Sequence, residues 1–140
     1  MGSTSKNYNI ISLNIHGDDE GHLIACQYKS NCPFDIKRVF WIYDTKAMTM
    51  RGAHANRNSQ FLLVALSGNC KIKVDDGVNQ EIFNLNNPYT ALYLDKMLWK
   101  EMYDFSHNAI LLVFSDTLYD ENEYIRDYEA WKKEFTNEKL

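Results

Sequence analysis

The fold is decided by a strand and turn stretch in the middle of the chain, Phe61-Leu-Leu-Val-Ala-Leu66, Ser67-Gly68-Asn69, Cys70-Lys-Ile-Lys-Val74 and Asp75-Asp76-Gly77. The first run is apolar and fits a buried strand, and a second short run follows directly after the Ser-Gly-Asn turn. An Asp-Gly pair between two strands favours a tight hairpin. This stretch therefore predicts antiparallel β-structure.

Similar short runs continue on both sides at even spacing. Segments rich in Gly, Asn, Asp and Pro separate them. The predicted strands are residues 8–14, 22–28, 36–43, 61–66, 70–74, 80–83, 90–94, 99–103 and 109–114. About nine short strands with no helix between them predict an all-β sandwich or barrel.

Only the C-terminal segment is predicted to be helical, over about residues 121–135. Asp120 and the acidic residues after it suit a helix start. The apolar residues Tyr124, Ile125, Tyr128 and Trp131 then recur on one face and are expected to pack on the barrel wall. We expect residues 1–140 to form a single domain, with residues 1–6 disordered or derived from an expression vector.

Composition excludes several classes of function. The 140 residues are 45% hydrophobic with a net charge of -4, which suits a packed domain and provides no basic field for nucleic acid. No apolar run approaches the ~20 residues that span a bilayer. The N-terminus lacks a secretory signal, and three cysteines without metal-type spacing suit a reducing cytoplasm.

A polar decamer, Arg51-Gly-Ala-His-Ala-Asn-Arg-Asn-Ser-Gln60, directly precedes the apolar run that starts at Phe61. Alternating polar residues before a buried strand tend to line a pocket at the mouth of a sheet. His54 is the residue there that can move protons near neutral pH. A surface turn that holds a single His is the alternative interpretation.

The pattern Gly52-x-His54-x-Asn56-x3-Gln60 resembles the first cupin motif, in which a Gly leads to His-x-His and then to an acidic residue. Asn56 stands at the second His, Gln60 at the acidic residue and Lys100 at a later His. One imidazole, two amides and an amine make a poor site for a divalent ion. The resemblance implies a cupin-type antiparallel barrel, or jelly roll, with a metal-free pocket and no cofactor.

Further blocks of sequence carry a more specific resemblance, which covers nearly the whole chain in order. They lie at residues 34–46, 51–55, 68–71, 98–102 and 119–128. Together they resemble the family of nucleotide-sugar 3,4-ketoisomerases, which act on dTDP-4-keto-6-deoxyglucose in pathways to 3-amino-sugars. The resemblance implies a homodimer with exchanged N-terminal strands that binds the dTDP moiety beside the sugar pocket.

Moving a ketone from C4 to C3 requires a base for the C3 proton, donors for an enediolate and an acid for C4. His54 is the candidate for the base, and once protonated it can serve as the acid. The candidate donors are Asn56, Lys100 and Arg51, assisted by Tyr43 or Tyr103. The candidates for binding the substrate and its diphosphate are Arg51, then Lys37, Arg38 and Lys46, with Gln60 at the pocket rim.

The family pattern reads Arg-Gly-x-His-x-His, so Asn56 departs from it at the second His. A single base that returns the proton to C4 acts on one ring face, which favours the galacto product over the gluco product. Lys100 or a tyrosine could supply a second donor on the other face. A cupin that binds a nucleotide sugar without turning it over remains the alternative function, and a metal-dependent enzyme is disfavoured.

Overall fold

The computed structural model describes residues 7–139, so the expectation for residues 1–6 lies outside the described part of the chain. The described residues form mainly β-strands and one α-helix. The strands are β1 (Tyr8–Ser12), β2 (His16–Asp18), β3 (Gly21–Leu23), β4 (Arg38–Tyr43), β5 (Arg51–Asn56), β6 (Phe61–Ser67), β7 (Cys70–Asp75), β8 (Gln80–Leu85), β9 (Thr90–Leu94), β10 (Trp99–Tyr103), β11 (Ile110–Ser115) and β12 (Tyr124–Ile125). A 3-10 turn (Glu121–Glu123) and the helix α1 (Tyr128–Lys139) complete the chain.

Ten of these twelve strands form two five-stranded antiparallel sheets, and β2 and β3 pair separately as a two-stranded hairpin. The first sheet has the order β1-β9-β6-β11-β4, and the second has the order β12-β5-β10-β7-β8. Both sheets contribute to one apolar core, to which the first gives Leu63, Leu92 and Leu111 and the second gives Ile72 and Val74. This arrangement is the predicted all-β, jelly-roll architecture, and the Asp76-Gly77 turn joins β7 to β8 as expected.

The C-terminal helix begins at Tyr128, later than the predicted start near residue 121. Asp120 caps only the short 3-10 turn. The two residues after that turn, Tyr124 and Ile125, pair with β5 as the edge strand β12. Asp127 accepts a hydrogen bond from the backbone N–H of Ala130 and so caps the helix itself. Trp131 is fully buried against the second sheet and donates from Nε1 to the Met97 carbonyl at 2.6 Å.

Two segments differ from the predicted strands. Residues 22–28 were predicted to be one strand, but the strand ends at Leu23. The segment after it forms a loop, in which Asn31 binds the backbone of Ala25 and Gln27 and Tyr28 forms an isolated bridge with Cys32. Residues 51–56, by contrast, were not predicted to be a strand, but they form β5 in the interior of the second sheet. In the described part of the chain, no helix is long and apolar enough to cross a bilayer.

Candidate active site

A cavity of about 240 Å³ lies between the two sheets. The second sheet contributes its polar wall and the first sheet its apolar wall. The polar wall consists of Arg51, Gly52, His54, Lys100, Met102 and Tyr124. The apolar wall consists of Phe40, Trp41, Ile42, Phe61, Leu63 and Val113. A cavity of this kind, with polar groups converging on one side, is typical of a small-molecule site.

The backbone of β5 is irregular where it meets the cavity. Gly52 and Ala53 have φ angles of 80° and 54°, and the pairing of β5 with β10 shifts register between Lys100 and Glu101. Such a bulge re-aims the side chains on either side of it. His54 and Lys100 are direct partners across the two strands. They therefore reach the cavity from the same sheet face, side by side.

His54 is held as a neutral imidazole. Burial, together with the Lys100 cation and more weakly Arg126, lowers the pKa of His54 to about 4, while a backbone hydrogen bond with Gly52 acts in the opposite direction. The ring of Tyr124 lies against the imidazole with a centroid distance of 4.8 Å. At neutral pH this side chain is unprotonated, so it is able to accept a proton.

Lys100 is a buried amine at the wall of the cavity, with only 4% of its surface exposed. Its Nζ donates to Asn56 Oδ1 at 3.0 Å and lies 4.6 Å from the centroid of the Phe61 ring. Burial lowers the pKa of Lys100 to about 7, and the Glu123 carboxylate opposes that shift. A lysine in such surroundings changes charge close to neutrality.

Asn56 does not line the cavity but lies behind Lys100, fully buried. Its Nδ2 donates to Glu123 Oε2 at 3.1 Å, and its Oδ1 accepts from Lys100. Glu123 is itself buried and also accepts hydrogen bonds from the backbone N–H of Asn58 at 2.9 Å and from the Ser59 hydroxyl. A polar chain thus runs from the cavity wall into the protein.

Cationic and aromatic side chains lie next to Tyr124 at the cavity. The Arg126 guanidinium lies 4.7 Å from the Tyr124 ring centroid. The ring centroids of Tyr119 and Tyr124 are 5.9 Å apart, and the Arg38 guanidinium lies 5.3 Å from the centroid of the Tyr119 ring. The Nε of Arg38 is buried and has no hydrogen-bond partner among the described residues. Arg51, on the cavity wall, is exposed.

The structure brings together only some of the candidates from the sequence. Arg51, His54 and Lys100 line the cavity, with Asn56 behind them and Arg38 beside Tyr119. The other candidates, Tyr43, Gln60, Lys37, Lys46 and Tyr103, are not among the cavity-lining residues.

Tyr43 and Gln60 lie outside the cavity for different reasons. Tyr43 is 64% exposed and lies with Trp41 and Leu66 in a shallow apolar depression. Gln60 is held by other side chains, since its Nε2 donates to Asp116 at 2.8 Å and its Oε1 accepts from Tyr93. Its amide is therefore occupied within the protein.

Arg126 and Tyr119 were not among the candidates from the sequence, and Tyr124 and Glu123 were missed as well. Both were interpreted as parts of a helix, Glu123 as an acidic residue at its start and Tyr124 as a residue of its packing stripe. The segment 119–128 that carried the family resemblance contains both of them. That resemblance was the available signal. Among the described residues, no three His, Cys, Asp or Glu side chains group as metal ligands.

Comparisons with known proteins agree with this geometry. The family profile described as "FdtA: WxcM-like, C-terminal" matches residues 6–136. A TDP-4-oxo-6-deoxy-alpha-D-glucose-3,4-oxoisomerase from Aneurinibacillus thermoaerophilus is 43% identical over 117 residues, which cover 83% of this chain and 84% of that protein.

Two solved structures have nearly the same fold along their whole length. The TDP-fucose-3,4-ketoisomerase WlaRA from Campylobacter jejuni is 44% identical with a TM-score of 0.91, covering 96% of this chain and 100% of the other. The sugar 3,4-ketoisomerase QdtA from Thermoanaerobacterium thermosaccharolyticum, solved in complex with TDP, is 34% identical with a TM-score of 0.91 and covers 96% and 98%.

Proposed function

Because the chain belongs to the FdtA-like family and is a TDP-sugar 3,4-ketoisomerase, an isomerase, we propose that its substrate is dTDP-4-keto-6-deoxy-D-glucose. The product is a dTDP-3-keto-6-deoxyhexose that serves the synthesis of 3-amino-3,6-dideoxysugars. The observation that carries this proposal is the pairing of a neutral His54 with Lys100 on one wall of the cavity. In this proposal His54 removes the C3 proton of the sugar, and Lys100 stabilises the negative charge that develops on the enediolate.

His54 is the proposed base. As a neutral imidazole it can take the C3 proton, which the C4 ketone acidifies. The low pKa of His54 in the empty cavity does not prevent this step, because the enediolate that forms beside the ring stabilises the imidazolium. The hydroxyl proton moves from O3 to O4 of the enediolate, and the imidazolium then returns its proton to C4, which leaves the ketone at C3 and His54 neutral again.

Lys100 and Arg51 are the proposed donors for the enediolate oxygens. Both line the cavity on the same side as His54. The Lys100 cation is buried opposite apolar side chains, so it is little screened by water and stabilises developing negative charge strongly, whereas the exposed Arg51 contributes as a hydrogen-bond donor. Asn56 acts indirectly in this proposal, since its oxygen holds the Lys100 ammonium. No metal and no cofactor enter the reaction.

The diphosphate is proposed to bind at the arginine and tyrosine residues next to the cavity. Arg51 is exposed on the cavity wall, and Arg126 and Arg38 flank Tyr124 and Tyr119. Guanidinium groups bind phosphate oxygens through paired N–H donors. The buried Arg38 Nε without a partner is one such donor.

The galacto configuration is the proposed outcome at C4. His54 and Lys100 approach from the same sheet, whereas the facing sheet contributes Phe61, Leu63 and Val113 to the cavity. A proton taken from C3 and returned to C4 on the same ring face gives dTDP-3-keto-6-deoxygalactose. A gluco product requires a donor from the opposite wall, and the side chains that the first sheet turns toward the cavity, such as Phe61, Leu63 and Val113, are apolar.

We also propose that the chain forms a homodimer in which N-terminal strands are exchanged. The exposed apolar residues Trp41, Tyr43 and Leu66 lie together on the outer side of the first sheet. Ile15 and Leu23, at the β2–β3 hairpin, are exposed as well. Apolar surface of this kind is typical of subunit contacts. Sedimentation of the purified chain tests this assembly.

The activity is tested by incubating the protein with dTDP-4-keto-6-deoxyglucose in deuterated buffer and following the sugar by NMR. The expected result is loss of the C3 proton signal and the appearance of a 3-keto sugar with galacto coupling constants. If neither exchange nor product appears while dTDP binds, the chain is a non-catalytic nucleotide-sugar binder. A gluco product would retain the isomerase and refute the single-face mechanism.

A further inference from the structure

A buried carboxylate behind the cavity has no part in the reaction as described so far. Glu123 is 3% exposed and accepts hydrogen bonds from Asn56, from the Asn58 backbone and from Ser59. An ionised carboxylate only accepts hydrogen bonds, so three donors converging on it are matched to its charged form. A buried charge is costly unless a partner compensates it.

The partner of Glu123 is reached through one amide. Asn56 donates from Nδ2 to the carboxylate at 3.1 Å and accepts at Oδ1 from Lys100 Nζ at 3.0 Å. These two bonds fix the orientation of the amide, because only the NH2 group can face an anion and only the oxygen can face an ammonium. The amide dipole is thereby aligned between the two charges and couples them.

We propose that Glu123 is a positioning residue that, through Asn56, holds Lys100 in its cationic form at the cavity wall. Glu123 acts on the charge of Lys100 and does not contact the sugar. The inference rests on the proposed function in one respect only, which is that the Lys100 cation stabilises the enediolate.

Few other charges act on Lys100. Arg51 and His54, from β5, and Tyr124, from β12, share the cavity with it. Val74 is its partner on β7, and the side chains that the opposite wall turns toward the cavity are apolar. A neutral His54 adds no charge, and Arg51 is a cation, so it disfavours the ammonium. Glu123 is therefore the anion that compensates burial, in agreement with its effect on the pKa of Lys100.

The test is a pH titration of the Lys100 side chain by NMR in protein labelled with 13C-lysine, with the signal assigned through Lys100→Arg. The wild-type midpoint is expected near pH 7. Glu123→Gln should lower it by about one pH unit, because one opposite charge is removed. Glu121→Gln, an exposed carboxylate on the same 3-10 turn, is the matched control and should leave the midpoint unchanged.

The same shift should appear in the rate. In Glu123→Gln the alkaline limb of the profile of kcat/KM against pH should shift to lower pH, by as many pH units as the titration midpoint of Lys100. If Glu123 had a purely structural role, its substitution would lower kcat without shifting this limb. Asn56→Ala, which leaves the carboxylate in place, should also lower the midpoint and replaces Glu123→Gln if that variant does not fold. A midpoint unchanged in either folded variant overturns the inference.

The titration needs no substrate, so its outcome is separate from that of the activity assay. If Glu123→Gln lowers the Lys100 midpoint and the wild type does not isomerise the sugar, the proposed function fails and the positioning role stands. If the wild type isomerises the sugar and the midpoint does not move, the positioning role fails alone.

Discussion

The two sheets of the jelly roll hold their inward-facing side chains in different ways. In the first sheet, β6 and β9 pair residue for residue from Phe61 opposite Leu94 to Val64 opposite Ala91, and the register shift between β11 and β6 lies at Ile110 and Leu111, which do not line the cavity. Their inward-facing side chains are apolar and buried. In the second sheet, β5 and β10 are interrupted by a register shift beside Lys100 and by left-handed backbone at Gly52.

This difference separates stability from chemistry. The apolar side chains that the first sheet buries need no specific partners and stabilise the fold by burial alone. Buried polar groups, such as Lys100, Asn56 and Glu123, each need a partner and contribute little net stability. We therefore expect substitutions of the polar cavity residues in the second sheet to affect the reaction, and substitutions of core residues in the first sheet that do not line the cavity to affect folding.

The largest effect is expected for His54→Gln in the second sheet. Loss of a general base lowers the rate by about 100- to 10,000-fold, while the amide fits a similar space and leaves the free energy of unfolding within about 1 kcal/mol. NMR of the keto sugar measures the first quantity and urea unfolding the second. If the activity of His54→Gln stays within tenfold of wild type, another residue is the base. The second sheet would then not be the source of the catalytic group, and the proposed division between chemistry and stability would fail.

Leu92→Ala tests the other sheet. Leu92 is fully buried in the core and does not line the cavity. Its truncation is expected to lower the free energy of unfolding by about 2–5 kcal/mol and to leave kcat/KM of the folded fraction within twofold. Urea unfolding and the sugar assay measure the two effects. A loss of kcat/KM comparable to that of His54→Gln would show that the two sheets are not separable.

The same contrast explains what could be predicted from the sequence. Regular strands such as β6 were predicted nearly to their ends, because apolar periodicity and turn residues act locally. The bulged β5 was taken for a polar lead-in segment, since its pairing depends on β10 more than forty residues away. Arg51, His54 and Lys100 were found from chemistry and resemblance. Glu123 was missed, because its partner Asn56 is distant in sequence.

The pH dependence of stability gives a smaller effect that belongs to the second sheet. The folded pKa of His54, about 4, lies below the unfolded value near 6.5, because burial and the Lys100 cation disfavour the imidazolium. Its contribution to stability is thus present above about pH 6.5 and is lost as the pH falls through 4.

The loss due to His54 is expected to be on the order of 2 kcal/mol, after allowance for partial screening of the ring. It is measured as the difference between wild type and His54→Gln in urea unfolding at several pH values. Carboxylates that titrate over the same pH range contribute equally to both proteins, so their effect on the free energy of unfolding cancels in this comparison. Parallel pH profiles for the two proteins would mean that the folded His54 titrates normally, and that the wall of the cavity is better hydrated than its burial indicates.

Gly52→Ala addresses the backbone that makes the second sheet irregular. With φ at 80°, an added Cβ would lie 3.1 Å from the Lys100 carbonyl oxygen and 3.3 Å from Met102 Cε, so we expect the backbone of β10 to shift away from β5 by a few tenths of an ångström. We expect a loss of about 1–2 kcal/mol in stability from the left-handed backbone, together with a lower kcat/KM, because the separation moves His54 away from Lys100. Gly21→Ala, where nothing lies within 4 Å of an added Cβ, is the matched control and should change neither quantity. If Gly52→Ala lowers stability but leaves kcat/KM intact, the irregular backbone is a packing solution only, and the placement of His54 does not depend on it.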